Sequence, residues 1–182
     1  SGDSSVNGSY ATGNVTGTYL LGGLVGTSYN GTIQDSYATG NVNGIEHKIY
    51  SINNIGGLIG TVRDGTTVTE SYAAGNVTAD GTEIGGLVGT NTDGSTVNES
   101  YATGSVTGGT NVGGLVGQND ATVTDAYATG RVRGTDTGGA IGFNDGGTIE
   151  AVYWDTETTG QSTSDGSETR FGLPSERMTG LN

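Results

Sequence analysis

Hydrophobic residues in this chain fall in short runs that return at nearly regular intervals. The runs are rich in Val, Ile, Thr and Tyr, and each is bounded by Gly, Asn, Asp or Ser. Short runs of this composition between turn residues are typical of β-strands. No stretch has the spacing of apolar residues that an amphipathic helix requires. The pattern therefore predicts an all-β protein with short strands.

Two sequence blocks alternate along the chain. The first reads Ser-Tyr-Ala-Thr-Gly-Asn-Val and recurs, with small changes, at Ser9–Val15, Ser36–Val42, Ser71–Val77, Ser100–Val106 and Ala126–Val132, with a degenerate copy at Val152-Tyr153. The second reads Gly-Gly-Leu-Val-Gly and recurs at Gly22–Gly26, Gly56–Gly60, Gly85–Gly89, Gly113–Gly117 and, altered, at Gly138–Gly142. A Val or Ile also stands four residues before each Tyr of the first block. Each repeat thus offers three β-prone runs.

These repeats predict a parallel β-helix (β-solenoid) with about three strands per coil. One repeat cannot bury an apolar face alone, whereas stacked repeats form a continuous core. We expect five full coils over residues 1–150, and a last partial coil with a capping segment over residues 151–182. The first Gly of each Gly-Gly pair should form one column. Whether the Tyr column faces inward or outward is open, because small residues flank each Tyr.

The two ends of the array are expected to differ. Trp154 takes the place that Ala holds in the other copies, and Phe171, Leu173 and Met178 add further bulk, so the C-terminal segment is predicted to cap the solenoid. The N-terminal coil, which begins at Val6, is predicted to be less protected and to stack on another subunit.

Charge and composition narrow the classes of partner. The chain has 19 acidic and 6 basic residues, for a net charge of −13, which disfavours nucleic acids and anionic membranes. No apolar run is long enough for membrane insertion as a helix. There is no Cys and only one His, so thiolate metal sites are excluded and a His-dependent hydrolase has little to work with.

The two blocks together resemble the GLUG-motif repeat family. The tail Val152-Tyr153-Trp154-Asp155-Thr156 resembles the segment that often closes such arrays. This resemblance implies an extracellular or cell-surface structural module of the adhesin-like kind found in bacteria and archaea, without catalytic residues. We therefore expect a non-catalytic stalk, adhesin segment or filament subunit, which self-associates through its ends or presents a surface to a glycan or protein ligand. The alternative is a polysaccharide-binding or polysaccharide-cleaving β-helix protein.

Acidic residues form two columns in the predicted stack. One column stands two residues before each Tyr and consists of Asp35, Glu70, Glu99 and Asp125. Stacked carboxylates about 5 Å apart repel unless cations or salt screen them, so this column is the candidate metal site, with calcium as the candidate ion. The other column consists of Asp64, Asp93, Asp120 and Asp145, and Asp-Gly turns are the favoured explanation for it.

Two further sets of residues are candidate sites. The longest repeat carries an insertion, Asn43–Asn54, that holds the chain's only His and only Lys; its candidate binding residues are Glu46, His47, Lys48 and Tyr50. Five Asn-x-Ser/Thr sequons make Asn7, Asn14, Asn30, Asn76 and Asn98 candidates for glycosylation.

Overall fold

The computed structural model describes residues 4–46 and 52–164, which form a parallel β-solenoid. The first coil contains β1 (Ser4–Asn7), β2 (Tyr10–Ala11), β3 (Val15–Gly17), β4 (Tyr19–Gly22) and β5 (Val25–Tyr29). The second contains β6 (Gly31–Gln34), β7 (Tyr37–Ala38), β8 (Val42–Gly44), β9 (Asn53–Gly56) and β10 (Ile59–Arg63). The strands of each coil pair in parallel with the corresponding strands of its neighbour.

In the later coils, neighbouring short strands merge into longer ones. The third coil contains β11 (Thr67–Thr69), β12 (Tyr72–Ala73), β13 (Val77–Gly85) and β14 (Val88–Asn91). The fourth contains β15 (Thr96–Asn98), β16 (Tyr101–Ala102), β17 (Val106–Gly113) and β18 (Val116–Asn119). The fifth contains β19 (Thr122–Ala128), β20 (Val132–Gly138) and β21 (Ile141–Asn144), and a partial sixth contains β22 (Thr148–Trp154) and α1 (Thr156–Thr159).

Three sheets run the length of the stack. Sheet A contains the first two strands of each coil and ends with β19 and β22, sheet B contains the strands that follow, and sheet C is the five-stranded sheet β5-β10-β14-β18-β21. The predicted parallel β-solenoid is thus confirmed, and the three to five described strands of each full coil contribute to three sheets. The register also places the first Gly of each Gly-Gly pair in one column, as expected: Gly22, Gly56, Gly85, Gly113 and Gly138.

The main core lies between the three sheets. Inward-facing Val and Ile of sheet A, such as Val68 and Val97, pack against Leu87 and Leu115 at the start of sheet C. The Ala that follows each Tyr also points inward, and Ala73 and Ala102 are fully buried. Because the same residue types recur at the same place in every coil, the core is a set of columns rather than a globular cluster.

Sheet B encloses a second, smaller core that the sequence pattern did not predict. Val77 and Ile84 belong to the same buried cluster although both lie on β13, and Val106 and Val112 of β17 join them. The strand register shifts between Ala79 and Thr82, where the chain bends back on itself. We call this part of each coil, residues 77–85 and their equivalents, the lobe.

The lobe approaches sheet C so closely that the last Gly of the second block cannot carry a side chain. A Cβ atom at Gly117 would overlap the backbone of Glu83 and Ile84 in the lobe. The recurring Gly at this position therefore has a packing reason, since two backbones meet there.

Trp154, the last residue of β22, and the residues that follow it cover the end of the stack. Trp154, only 1% exposed, pairs with Ala128 in the sheet register and donates a hydrogen bond from Nε1 to the carbonyl oxygen of Gln161 (2.9 Å). The amides of Gly139 and Ile141 donate to the carbonyl oxygens of Thr163 and Ser164 at 2.8 and 2.9 Å. Phe171, Leu173 and Met178 lie outside the described residues.

Candidate binding groove beside the tyrosine column

The tyrosines of the first block form a continuous stack on the outer face of sheet A. From Tyr10 through Tyr37, Tyr72, Tyr101 and Tyr127, successive ring centroids lie 5.3, 4.9, 5.0 and 4.9 Å apart, with interplanar angles of 10° or less. Side chains alternate between the faces of a strand, so the buried Ala next to each Tyr sends the Tyr outward. The Tyr column, whose direction the sequence left open, therefore faces outward.

Stacking determines which parts of these rings a ligand can reach. Each ring that lies between two others has both faces against its neighbours, which leaves the ring edge for a ligand. Burial raises the pKa of the Tyr101 and Tyr127 phenols above their usual range, and the neighbouring tyrosines add to the effect. These hydroxyl groups therefore stay protonated at neutral pH. A sugar ring has no free face of an inner Tyr on which to stack.

The candidate metal residues form an exposed column beside the tyrosines. Asp35, Glu70, Glu99 and Asp125 all have left-handed backbone, with φ between 46° and 49°, at the corner within sheet A. The first coil has Gly8 at this corner, and the sixth has Ala151 (φ 50°). A left-handed residue other than Gly costs about 1–2 kcal/mol, and Asp tolerates it better than Glu or Ala. At Glu70, Glu99 and Ala151 the corner is thus imposed by the stack rather than by local preference.

The carboxylates of this column have polar but not cationic partners among the described residues. Gln34 Nε2 donates to Glu70 Oε2 at 2.9 Å, and the Thr124 hydroxyl donates to Asp125 at 2.9 Å. Both ion pairs of the described part of the chain belong to Arg63, which contacts Asp64 (3.3 Å) and Asp93 (3.6 Å). The described residues also contain no group of three or more His, Cys, Asp and Glu side chains placed to hold a metal ion. Calcium binding at this column stays a prediction. Among the described residues, such an ion would be held by no more than two carboxylates of the column.

A groove of about 520 Å³ lies between the acidic column and the tyrosines over the last three coils. Glu99 and Asp125 form one wall, and Tyr101, Tyr127 and Tyr153 form the other. Ser100 and Ala126 lie between them, and Ala151 lines the C-terminal end. At this corner Ala151 has a methyl group where the four preceding coils carry a carboxylate.

Asp64 and Asp93 of the second acidic column are turn residues, as their Asp-Gly sequences indicate, whereas Asp120 is followed by Ala121. Asp64 (φ 56°) and Gly65 (φ 78°), like Asp93 and Gly94, have left-handed backbone in the turn after sheet C. Arg63 neutralises two of these carboxylates and lies 5.2 Å from the ring centroid of Tyr29.

The remaining predicted sites stay predictions. Glu46 is exposed at the end of a described segment, and His47, Lys48 and Tyr50 of the candidate binding loop lie outside the described residues. Four of the sequon asparagines are exposed, and Asn98 is half-buried. Two of the four also help to hold the stack: the Oδ1 atoms of Asn14 and Asn76 accept hydrogen bonds from the backbone amides of Asn41 and Ser105, both at 2.9 Å.

One titratable residue was not anticipated from the sequence. Glu83 is half-buried where the lobe meets sheet C, and burial followed by the nearby Asp120 raises the pKa of its carboxyl group. In the other coils its place, two residues before Gly-Gly, is taken by Leu20, Asn54, Asn111 and Asp136, all with left-handed backbone. The recurrence of this position two residues before each Gly-Gly pair was the sequence signal that could have identified Glu83.

Comparison with protein families agrees with the repeat geometry. The family model described as the GLUG motif matches residues 17–43, 80–107 and 108–133. The chain is a GLUG-motif repeat protein. Each matched segment of this GLUG-repeat protein runs from the lobe through sheet C and sheet A to the next lobe, which is one full coil. The coil that carries the insertion, between residues 43 and 80, lies outside the matches. Comparisons with curated proteins and with solved structures gave no match.

The described residues contain no helix of the length and apolar character needed to cross a membrane.

Proposed function

We propose that this GLUG-repeat chain is a non-catalytic structural and adhesive module of an extracellular or cell-surface protein. It would act as a stalk, an adhesin segment or a filament subunit. The observation that carries the proposal is the uniformity of the outer surface, where the Tyr and carboxylate columns repeat coil by coil. An active site is normally a unique constellation of side chains, whereas a repeated column suits an extended contact surface.

The open face of the first coil supports self-association as a part of this function. Val6, Leu24 and Val25 are only partly buried there, although their equivalents in the third and fourth coils are fully buried. The outer edges of β1 to β5 carry no further strand among the described residues. A strand edge of this kind pairs readily with another strand. A coil with the same pattern from a second copy would fit this face.

Sedimentation velocity over a wide range of protein concentrations tests the assembly step, and electron microscopy shows the shape of the product. We expect rod-shaped particles that lengthen as concentration rises. Leu24→Lys places a charge at the open face and should return the protein to monomers. Thr78→Lys, at an exposed position of a middle coil, is the matched control and should leave assembly unchanged. A strict monomer at every concentration would reject self-association.

The polysaccharide alternative has its best site in the groove beside the tyrosines. Its weakness is that stacking covers both faces of the Tyr101 ring and one face of the Tyr127 ring, which sugars would use. Incubation with a panel of acidic and neutral polysaccharides, followed by measurement of new reducing ends and of bound polymer, separates the two functions. Cleavage of any polymer would replace the structural proposal with the enzymatic one.

A further inference from the structure

We propose that the groove beside Tyr101, Tyr127 and Tyr153 binds linear aliphatic polyamines, with the ligand lying along the solenoid axis. This proposal is independent of the module's role as a stalk or filament. It rests on three properties of the groove: its charge, its spacing and its lining.

The charge of the groove favours a cation. Glu99 and Asp125 border it on one side, and no basic side chain among the described residues forms an ion pair with either. The whole chain carries a net charge of −13, so the surrounding potential also attracts cations.

The spacing of the groove selects among cations. Successive coils are 4.9 Å apart at Tyr101 and Tyr127, so the corner positions of Glu99 and Asp125 repeat at about the same interval. Two amino groups joined by three methylenes lie about 5 Å apart when the chain is extended, from ordinary bond lengths. Alternate side chains of an extended basic peptide lie about 7 Å apart and would lose this register. Calcium takes about six to eight oxygen ligands, more than two carboxylates supply.

The lining of the groove suits the rest of a polyamine. The ring edges of Tyr101 and Tyr127 provide apolar contact for methylene groups. In proteins generally, the methylene stems of lysine side chains lie along apolar surface in the same way. Their hydroxyl oxygens can accept hydrogen bonds from ammonium groups. Ala151 lines the groove with a methyl group instead of a third carboxylate, so the terminal ammonium group has Asp125 as its anionic partner there.

Isothermal titration calorimetry at low salt tests the proposal with bis(3-aminopropyl)amine as the probe. A triamine of the same charge with five-methylene spacers is the spacing control. We expect the three-carbon compound to bind several-fold more tightly. Equal affinity for the two compounds would show nonspecific electrostatic attraction and would overturn the proposal. The absence of binding would overturn it as well.

Paired variants locate the ligand. Glu99→Gln with Asp125→Asn removes both carboxylates of the groove and should weaken binding about tenfold or more, since each exposed ion pair is worth up to about a fivefold change. Asp64→Asn with Asp93→Asn removes the same charge from the turn after sheet C and should change affinity less than about twofold. An equal loss in both double variants would contradict the groove as the site. Circular dichroism confirms that both variants fold.

Ligand-induced shifts of alanine methyl resonances provide a readout independent of affinity. The Ala151 methyl group lies in the groove, whereas Ala74 is exposed on the other side of the Tyr column in the third coil. Bis(3-aminopropyl)amine should shift the Ala151 resonance and leave that of Ala74 in place. Shifts of similar size at both residues would reject the site.

Discussion

The first coil and the closing end of this solenoid use the same sequence pattern but reach different states. Leu24 and Val25 of the first coil are half-buried, whereas their equivalents in the fifth coil, Ala140 and Ile141, are fully buried. Ala11 is half-buried as well, whereas Trp154, at the same place in the sixth coil, is 1% exposed. The difference lies in what covers each end. A coil closes its core only when another layer lies on it, and the C-terminal end supplies that layer with one large side chain and a short helical turn.

The covered end also satisfies its polar groups. Asp155 caps α1, with Oδ1 accepting hydrogen bonds from the amides of Glu157 (2.9 Å) and Thr158 (3.2 Å). The loop after α1 accepts hydrogen bonds from the amides of Gly139 and Ile141. Covering a solenoid end thus requires both apolar bulk and backbone partners.

The largest effect is expected at the closing end, from Trp154→Ala. The Trp154 ring fills the space above Gly139, where a Cβ atom would overlap it. Its removal leaves a cavity and should lower the free energy of unfolding by about 3–5 kcal/mol, as measured by urea denaturation. Tyr153→Ala, at the exposed neighbouring position, should cost much less. Similar costs for the two variants would show that the Trp154 ring does not close the core.

A second prediction compares one repeat position in two coils. Leu87→Ala in the third coil should cost about 2–5 kcal/mol in urea denaturation, because Leu87 is fully buried. Leu24→Ala in the first coil should cost less, because Leu24 is already partly exposed. If self-association covers the first coil, the cost of Leu24→Ala will rise with protein concentration. Equal costs at low concentration would mean that the first coil is covered in the monomer.

The third prediction concerns Glu83, whose place in the first coil is held by Leu20. The raised pKa of the Glu83 carboxyl means that the folded state holds more protons than the unfolded state in the window above 4.5, the ordinary value. Stability therefore falls as pH rises through that window. Glu83→Asn should raise the melting temperature at pH 7 and lose this advantage below pH 4.5.

The control for Glu83 is Asp136→Asn, an exposed residue at the same place in the fifth coil. An equal advantage for Asp136→Asn at pH 7 would show that burial of the Glu83 carboxyl group is not the cause. An advantage of Glu83→Asn that is the same at every pH would point to backbone preference instead of charge burial.

The smallest effect is expected from salt and calcium. The middle coils carry acidic corner residues where the first coil has Gly8. Screening of their mutual repulsion should raise the melting temperature, with each exposed pair worth less than about 1 kcal/mol. Thermal melts at low and high sodium chloride, with calcium and with a chelator, separate screening from binding. Identical melting under all conditions would reject both.

Much of the fold could be predicted because the repeat itself encodes it. Once coils stack in register, Gly85 must lie between Gly56 and Gly113, and Tyr72 between Tyr37 and Tyr101. The side chain that each column buries was less evident, since Tyr and Ala alternate and either could face inward. The width of the core determines that Ala faces inward and Tyr outward. The inner coils have room for an Ala side chain at the position after Tyr, and only the closing end has room for Trp154 there.

The lobe and the groove could not be predicted from the sequence, for different physical reasons. The stretch from Val77 to Gly85 resembles two short strands and a turn, and nothing local shows that Val77 and Ile84 share a core. The left-handed corner at Glu99 has no local signal, because Glu does not favour that backbone. The groove combines residues of three coils, such as Glu99, Asp125 and Ala151, which become neighbours only after the corner positions are aligned.

The lobe gives this protein a position at which peptides can be inserted and displayed without a change in the register of the coils. Residues 45–52 separate Gly44 from Asn53 in the second coil, where only Thr18 separates Gly17 from Tyr19 in the first, and yet both flanking pairs stay in register. Natural variation in length has thus already been absorbed at this tip. An engineer could graft an epitope between Ala79 and Thr82 in one coil, or in several, and obtain a row of copies along the lobe at intervals fixed by the pitch of the coils.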